Sequence, residues 1–555
     1  MLRGQMMDRP LMIADLLRHA ALNHGKREIV SRMPDTGEIH RYGYADCFKR
    51  SQQLANVLTG PLKVKSGDRV TTIAWNTHRH LELYYAVSGV GAVVHTANPR
   101  LPPEQLAWMI NHAKSKAVFF DVTFAPLVEA IAKHCKTVKR WVAMTSEATK
   151  PSMKTKVDAY ETLMDQASDQ YDWPEFDENA AAGLCYTSGT TGDPKGALYS
   201  HRSTVLHAMM SATTDAVGVG ADGIIMPVVP MFHVNAWGVP YAAALAGAKL
   251  VMPGAQLDGA SVQALIEEEE VNLVLGVPTV WLGLLQYLRE SGKRIDSVNQ
   301  VLMGGSAMPE ALLRAYEGEY GVDMQQGWGM TEMSPLGTVG KLLPKHADLT
   351  EDEKVRIKLK QGRLLYGVDM RTVDDDGNVL PRDGKSAGHV QVRGPWIISS
   401  YYRGAGPESF TDDGWFRTGD VGHIDEDGYM TITDRSKDVI KSGGEWISSI
   451  DLENAAMGHP DVALAAAFGH PHPKWQERPL LVVQPKPGTS PTADSIHEFL
   501  ASKLPKWWLP DGIEFIEDMP IGATGKVLKT KLREIYKDYK FPEADYEGGA
   551  TPTQG

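Results

Sequence analysis

A chain of 555 residues, 43% of them apolar and 23% charged, is too long for one ordinary core and too evenly mixed to be disordered or fibrous. Its formal net charge of −12 argues against a general nucleic-acid or membrane-surface binder. The three cysteines, Cys47, Cys135 and Cys185, are widely spaced and form no CxxC pair, which speaks against a disulfide framework or zinc site and for a reducing, cytoplasmic setting.

The N-terminal stretch lacks an unbroken apolar run of signal-peptide type. No segment offers the ~18 continuous apolar residues that a membrane span needs. LMIADLLRHAALNHG reads as a helix ending at a glycine, with Ile13, Leu16, Leu17, Ala20 and Ala21 on one face. KSGDRVTTIAW then gives a turn and a strand, HLELYYAVSGVGAVVHTANP a helix, a glycine turn and a strand, and KAVFFD a buried strand. Further on, ADGIIMPVVPMF and AKLVMPG are strands, and SVQALIEEEE is a helix whose Glu267–Glu270 run reads as a solvated end. VNLVLGVP feeds the helix TVWLGLLQYLRESG, and NQVLMGGSAMPEALLRAYEGEYG repeats strand, turn and helix, with Pro309 near the helix start. Alternation of this kind favours an α/β fold with parallel pairing.

After about residue 365, RTVDDDGNVLPRDGKSAGHVQVRG and GHIDEDGYMTITDRSKDVI read as antiparallel hairpins with DG turns. Beyond GGEWIS comes a compact α+β unit in the order helix, strand, strand, helix, strand. The boundary is expected in DRSKD, giving domains of residues 1–436 and 437–555.

The stretch YTSGTTGDPKG at residues 186–196 follows an apolar run that reads as a buried strand. Gly189, Gly192 and Gly196 let backbone amides approach an anion, Thr187, Ser188, Thr190 and Thr191 add hydroxyls, and Lys195 adds a charge. The spacing is not GxxxxGK[ST], so a P-loop NTPase is excluded. Composition alone leaves a phosphate cradle and a plain small-residue surface loop about even.

This stretch resembles the signature of the adenylate-forming enzymes, which include acyl-CoA synthetases, peptide-synthetase adenylation domains and luciferases. Further stretches resemble the family in order: PMFHVNAWG at 230–238, GGSAMP at 304–309, QGWGMTE at 326–332, WFRTGD at 415–420, DRSKDVIKSGGEWIS at 434–448 and PIGATGK at 520–526. The likeness covers residues from about 10 to about 540 and is strongest to the medium-chain and 3-methylmercaptopropionate ligases of the acyl-CoA synthetase branch. It implies a large N-terminal domain of αβ-layered sheets with a β-rich subdomain, followed by a small mobile C-terminal α+β domain. It also implies an ATP-dependent carboxylate–CoA ligase that works through an acyl-adenylate, uses Mg²⁺ and coenzyme A, and forms a homodimer.

By the same resemblance, the residues from Thr187 to Gly192 with Lys195 hold the β- and γ-phosphates. Glu332, together with Thr190, binds Mg²⁺, and Thr331 contacts phosphate. Gly305, Ser306, Ala307, Gln326, Gly327 and Trp328 surround adenine, and Asp420 and Arg435 hold the ribose. Read without the motif, Glu332 is equally a helix-cap carboxylate, Asp420 a turn residue and Trp328 a core side chain. Lys526 bridges the substrate carboxylate and the α-phosphate. Lys437 is the hinge. Lys441, Gly443, Gly444 and Trp446 serve the thiol step. His233, Trp237, Gly304, Met330 and Pro335 line the acyl pocket and its gate, with His233 also placed among the catalytic residues. The bulk of Trp237 favours a short or medium acyl group.

Two departures stand out: Gln476 replaces the usual glycine of the family's PxxKWGERP segment, and Trp446 replaces a common asparagine. His470 and His472 read as loop histidines, not metal ligands. Cys185 reads as a small buried residue and not a nucleophile. The rival readings are an aryl or cinnamate-type acid ligase, an adenylation enzyme loading a carrier protein in trans, a luciferase-like oxygenase and a silent adenylate binder. The oxygenase is separated by oxygen-dependent light emission.

Overall fold

The computed structural model describes residues 1–187, 193–435, 438–442, 445–522 and 527–541, with the backbone alone at Glu445 and Trp446. The chain divides into two compact units, Met1–Thr418 with His423–Thr431, and a second from Ile432 onward that also takes in Gly419–Gly422. Among the described residues the strands form three sheets.

The seven-stranded sheet runs Asp158–Ala159, Arg140–Ala143, Ser115–Phe120, Arg69–Ile73, Val93–Thr96, Ala181–Tyr186, Gly196–Ser200. All its pairs are parallel except the last, which is antiparallel with Cys185 opposite Ala197. The thirteen-stranded sheet has a parallel centre, ordered Glu28–Arg32, Lys249–Met252, Ile224–Pro227, Leu273–Gly276, Gln300–Gly304, Asp323–Gly329. Of these, Lys249–Met252, Ile224–Pro227, Leu273–Gly276 and Gln300–Gly304 are near-continuous apolar runs, as expected of strands covered on both faces. The sheet continues antiparallel through Leu336–Val339 and Gly362–Leu364 to Tyr429–Arg435, then to Phe416–Ile424, Gly388–Arg393 and Asp369–Val373, and Ile39–Gly43 closes the other edge antiparallel to Glu28–Arg32. Every element expected from the sequence has its counterpart, from the first helix at Ile13–Asn23 to the hairpin pairing Asp369–Val373 with Gly388–Arg393.

The glutamate run at 267–270 departs from its reading as a solvated end. Glu267, Glu268 and Glu270 are exposed, but the Glu269 side chain is buried on the helix Gly259–Glu269. Its carboxylate takes a bidentate pair from Arg41 and a second ion pair from Lys249 at 3.0 Å. Burial alone would raise this carboxyl, yet the two cations hold it below the usual range. Pro309 is the N-cap of Glu310–Ala315 and not its first helical residue.

Within the second unit, Val462–His472 and Gln476–Pro485 pair antiparallel, and Gly512–Phe515 joins the latter in parallel. His470 and His472 lie at the end of a strand, not in a loop. His470 Nε2 is 2.7 Å from the Tyr539 carbonyl, and His472 Nδ1 accepts from the Lys474 amide at 3.2 Å. Among the described residues no group of three or more His, Cys, Asp or Glu is placed to hold a metal. Arg478 is buried and fastens this unit, donating to Asp511 and to the carbonyls of Trp507 and Leu509. Among the described residues no helix is long and apolar enough to cross a membrane.

Gln476 closes the hairpin with φ of +67°, in the left-handed region. That conformation explains why a glycine suits this position, since a β-carbon there costs about 1 kcal/mol. Gln476→Gly is therefore expected to stabilise the protein by up to about 1 kcal/mol, read as a raised midpoint of thermal unfolding. An unchanged or lowered midpoint removes the strain argument.

Candidate active site

The strand Ala181–Tyr186 delivers Thr187 to the end of the seven-stranded sheet. The Thr187 amide donates to the Lys195 carbonyl at 2.9 Å, and the Lys195 amide donates to Thr187 Oγ1 at 3.2 Å. The two residues that flank the glycine-rich stretch are thus tied to each other. Ser188, Gly189, Thr190, Thr191 and Gly192 themselves lie outside the described residues, as do Lys437, Gly443, Gly444 and Lys526. The Lys195 ammonium is 3.2 Å from Glu408 and 5.1 Å from the centroid of the Tyr401 ring. It also lies over Gly406, where an added β-carbon would meet Nζ at 2.3 Å.

Glu332 sits in the short turn Thr331–Met333 and is 6% exposed. Tyr401 donates its hydroxyl to Glu332 Oε1 at 2.5 Å. The same turn is gripped at several other points. Tyr199 donates to the Thr331 carbonyl at 2.5 Å, Ile398 N–H to the Glu332 carbonyl at 2.9 Å, and Ser334 Oγ to the Trp396 carbonyl at 2.9 Å. The motif carrying Thr331 and Glu332 is therefore held between the strand Gly196–Ser200 and the segment at residues 396–401. Neither Tyr199 nor Tyr401 was singled out from the sequence, and the YY pair at 401–402 was the one available signal.

Gly304, Gly305, Ser306 and Ala307 follow the strand Gln300–Gly304, beside Gln326 and Gly327 on the neighbouring strand. The Gln326 side chain accepts from the Met308 amide at 3.2 Å, which fixes the turn against that strand. Trp328 is 9% exposed and packs on Gly337, where an added β-carbon would meet its ring at 2.7 Å. It thus behaves as a core side chain. Met330 is half-buried and its amide donates to the Pro335 carbonyl at 3.2 Å.

The stretch after His233 breaks local rules. Val234, Asn235, Ala236 and Trp237 have φ of 45°, 51°, 49° and 56°, and Gly238 follows at 75°. A run of left-handed residues costs about 1–2 kcal/mol for each side chain. Tertiary contacts hold it in place. Cys185 donates to Asn235 Oδ1 at 3.2 Å, Tyr84 donates to the Met231 carbonyl, and Asn76 Oδ1 accepts from the Met231 amide at 2.6 Å. Burial pushes the Cys185 thiol up to about 11, so it acts as a neutral donor and not as a nucleophile. The turn throws the Trp237 indole across Gly304, where an added β-carbon would meet the ring at 3.0 Å. Two acyl-pocket candidates 67 positions apart are thereby in contact.

In the second unit, Arg435 Nε pairs with Asp420 Oδ1 at 2.7 Å, so the two ribose candidates are brought together. Asp420 is buried and Arg435 half exposed. Lys441 lies on the strand Ile440–Ser442 with Trp446 as its cross-strand partner, and its amide donates to Glu477 at 3.0 Å. Sequence reasoning missed Lys529. Its ammonium is buried against Glu453 at 2.7 Å and Ser449 Oγ at 2.6 Å. Burial works to lower this ammonium, but Glu453 and Asp434 outweigh it and hold it charged.

Trp75 packs on Phe232, the residue before His233, with centroids 6.0 Å apart. Its amide donates to Asp121 Oδ2 at 2.7 Å, and burial pushes that carboxyl up to about 7.

Three comparisons with known proteins bear on this arrangement. Residues 17–402 match the family described as AMP-binding enzyme, and residues 451–526 match the AMP-binding enzyme C-terminal domain. The chain is 49% identical over 536 residues to a 3-methylmercaptopropionyl-CoA ligase of Ruegeria lacuscaerulensis, covering 96% of this chain and 99% of that one. It is equally 49% identical over 536 residues to a medium-chain-fatty-acid–CoA ligase of Ectopseudomonas oleovorans, covering 96% and 98%. Among solved structures, an anthranilate CoA ligase in complex with anthranoyl-AMP superposes with a TM-score of 0.85 at 23% identity, covering 96% and 98%, a likeness of fold.

A carboxyl held near 7 when folded, and near 4 when unfolded, favours the folded state fully below about pH 4; that advantage is lost as pH rises through about 7. Asp121→Asn keeps an acceptor for Trp75 but cannot titrate. Its thermal midpoint is expected to fall less than that of the wild type between about pH 5 and pH 8. Parallel pH profiles for the two proteins would show that Asp121 does not carry the shift.

Proposed function

The chain belongs to the AMP-binding enzyme family and is an AMP-forming acyl-CoA ligase that uses ATP and CoA; from this premise we propose that its acid is a short or medium-chain carboxylate of the fatty or 3-methylmercaptopropionate type. The observation that carries the proposal is the Trp237 indole lying across Gly304, which sets an aromatic wall at the expected floor of the acyl pocket. The relatives named for 3-methylmercaptopropionate and for medium-chain fatty acids support the same range.

The chemistry runs in two steps. A carboxylate oxygen of the acid attacks the α-phosphorus of ATP and pyrophosphate leaves. The CoA sulfur then attacks the acyl carbon, AMP leaves and the thiol proton passes to solvent. The first step brings two anions together, so preorganised donors and cations must offset the repulsion. We assign the β- and γ-phosphates to Thr187, Lys195 and the residues between them, with Thr331 beside them. Adenine is assigned to Gly305–Ala307 and Gln326–Gly327, with Trp328 beside them. The ribose diol falls to Asp420 and Arg435, a carboxylate acceptor already paired with a cation. Lys526 stabilises the charge that develops as carboxylate meets α-phosphate. Lys441, Gly443, Gly444 and Trp446 serve the thiol step, Lys437 is the hinge, and His233, Met330 and Pro335 border the acyl group.

The donor set fits Mg²⁺, because one buried carboxylate and one hydroxyl, completed by phosphate oxygens, is how that ion is usually held. Glu332 and Thr190 would bind it, and when bound it neutralises phosphate charge. The buried free thiols of Cys47, Cys135 and Cys185 support a reducing, cytoplasmic setting. A homodimer is proposed with it.

The test is AMP release across short, medium, long, thioether-containing and aryl acids, each with and without CoA. Short, medium or thioether acids should lead, and turnover confined to aryl or long acids overturns the assignment. Trp237→Ala is expected to raise kcat/KM for long acids relative to medium ones by at least about 10-fold, and an unchanged ratio shows that Trp237 is mere packing. Lys526→Ala should abolish pyrophosphate exchange while ATP still binds. Exchange near the wild-type rate would strip Lys526 of its role.

A further inference from the structure

Tyr401 has no place in the adenylation chemistry so far, yet it touches Lys195, assigned to the polyphosphate, and Glu332, assigned to its magnesium. It is buried, 6% exposed, and its ring is walled by Phe410 and Phe416 at centroid distances of 5.9 and 6.1 Å. Those edge contacts fix the ring plane, and the plane fixes the direction of the hydroxyl. The hydroxyl points at Glu332 Oε1, 2.5 Å away, across 69 residues of sequence. The ring meanwhile lies beneath the Lys195 ammonium at 5.1 Å, with Glu408 on that ammonium's other side at 3.2 Å.

A single rigid side chain therefore aims one cation and one anion. Glu332 lies in a turn whose backbone is fixed by Tyr199 and Ile398, so the remaining freedom is rotation of its own side chain. A phenol donating to one carboxylate oxygen narrows that freedom. The other face of the problem is Lys195, which needs a resting position that does not neutralise Glu332. An aromatic face offers one, because it attracts the ammonium without donating or accepting a proton.

We propose that Tyr401 is a positioning residue for adenylation, orienting the Glu332 carboxylate through its hydroxyl and seating Lys195 on its ring before the nucleotide arrives. The inference rests on the reading of Glu332 as the carboxylate that faces the nucleotide and its magnesium. Tyr401→Phe separates the two duties, since it keeps the ring beneath Lys195 and the packing against Phe410 and Phe416 but loses the bond to Glu332.

The experiment uses the full chain and the acid best turned over in the screen. Pyrophosphate exchange in Tyr401→Phe is expected to fall about 10- to 100-fold, the range seen when a partner of a metal-facing ligand is removed. The magnesium concentration for half-maximal exchange should rise, and calorimetry should show weaker binding of ATP with magnesium but unchanged binding of ATP without it. Thioester formation from supplied acyl-adenylate should stay within about 2-fold of wild type, a split that simple loss of packing would not give. Adding Glu332→Gln to Tyr401→Phe should cost little beyond Glu332→Gln alone, because both changes strike one interaction.

Wild-type exchange and magnesium dependence in Tyr401→Phe overturn the proposal while leaving Glu332 in place, provided Glu332→Gln is impaired. Full additivity in the double variant overturns it as well. Wild-type exchange in Glu332→Gln overturns the reading of Glu332 and the role of Tyr401 together.

Discussion

The bond between Tyr401 and Glu332 expresses the constraint on which the site depends: a carboxylate kept out of water must be held by donors or it takes up a proton. An anion proposed to face magnesium and phosphate is useful only if it stays still. The turn around it is accordingly tied at Thr331, at Glu332 and at Ser334, from two separate parts of the large unit. Each bond is modest, about 1 kcal/mol net. Together they leave one arrangement for a turn that local sequence would leave free.

The same trade appears in the turn after His233. Residues 234–238 sit in a backbone region that side chains avoid. What compensates is a buried polar set in which Asn76, Tyr84 and Cys185, all distant in the chain, hold Met231 and Asn235. Strain of this kind persists only where the surroundings over-determine it, and here it aims Trp237 at Gly304. Cys185 matters in this unit as a hydrogen-bond donor, a role open to a thiol that burial keeps protonated.

The small unit shows how buried charge organises a fold with little core. Arg478 satisfies its guanidinium on one carboxylate and two carbonyls, and Lys529 is enclosed by Glu453, Ser449 and the field of Asp434. Arg533 adds a bond to Asp438 at 2.8 Å. The helix Lys529–Ile535 is thereby paired with Asp438, the last residue of DRSKD, the stretch that holds the expected hinge residue Lys437. Removing one partner from such a set strands the other, so these charges act as locks more than as sources of net stability.

The sequence by itself determined the element order, because apolar runs and 3.6-residue periodicity are local properties that burial on a sheet or helix face reads out directly. It also determined the chemistry-bearing stretches, since glycines, hydroxyls and a lysine in close succession are a local composition. The pairing of Arg435 with Asp420 and the contact of Trp237 with Gly304 join residues the sequence had named but could not put side by side. Other features had no local signal at all. Glu269 looks like its exposed neighbours until Arg41 arrives from 228 residues away, and the left-handed turn at 234–238 contradicts the propensities of Val234, Ala236 and Trp237. Tertiary structure alone decided these, because the energy that fixes them comes from contacts between segments far apart in the chain, and only folding brings those segments together.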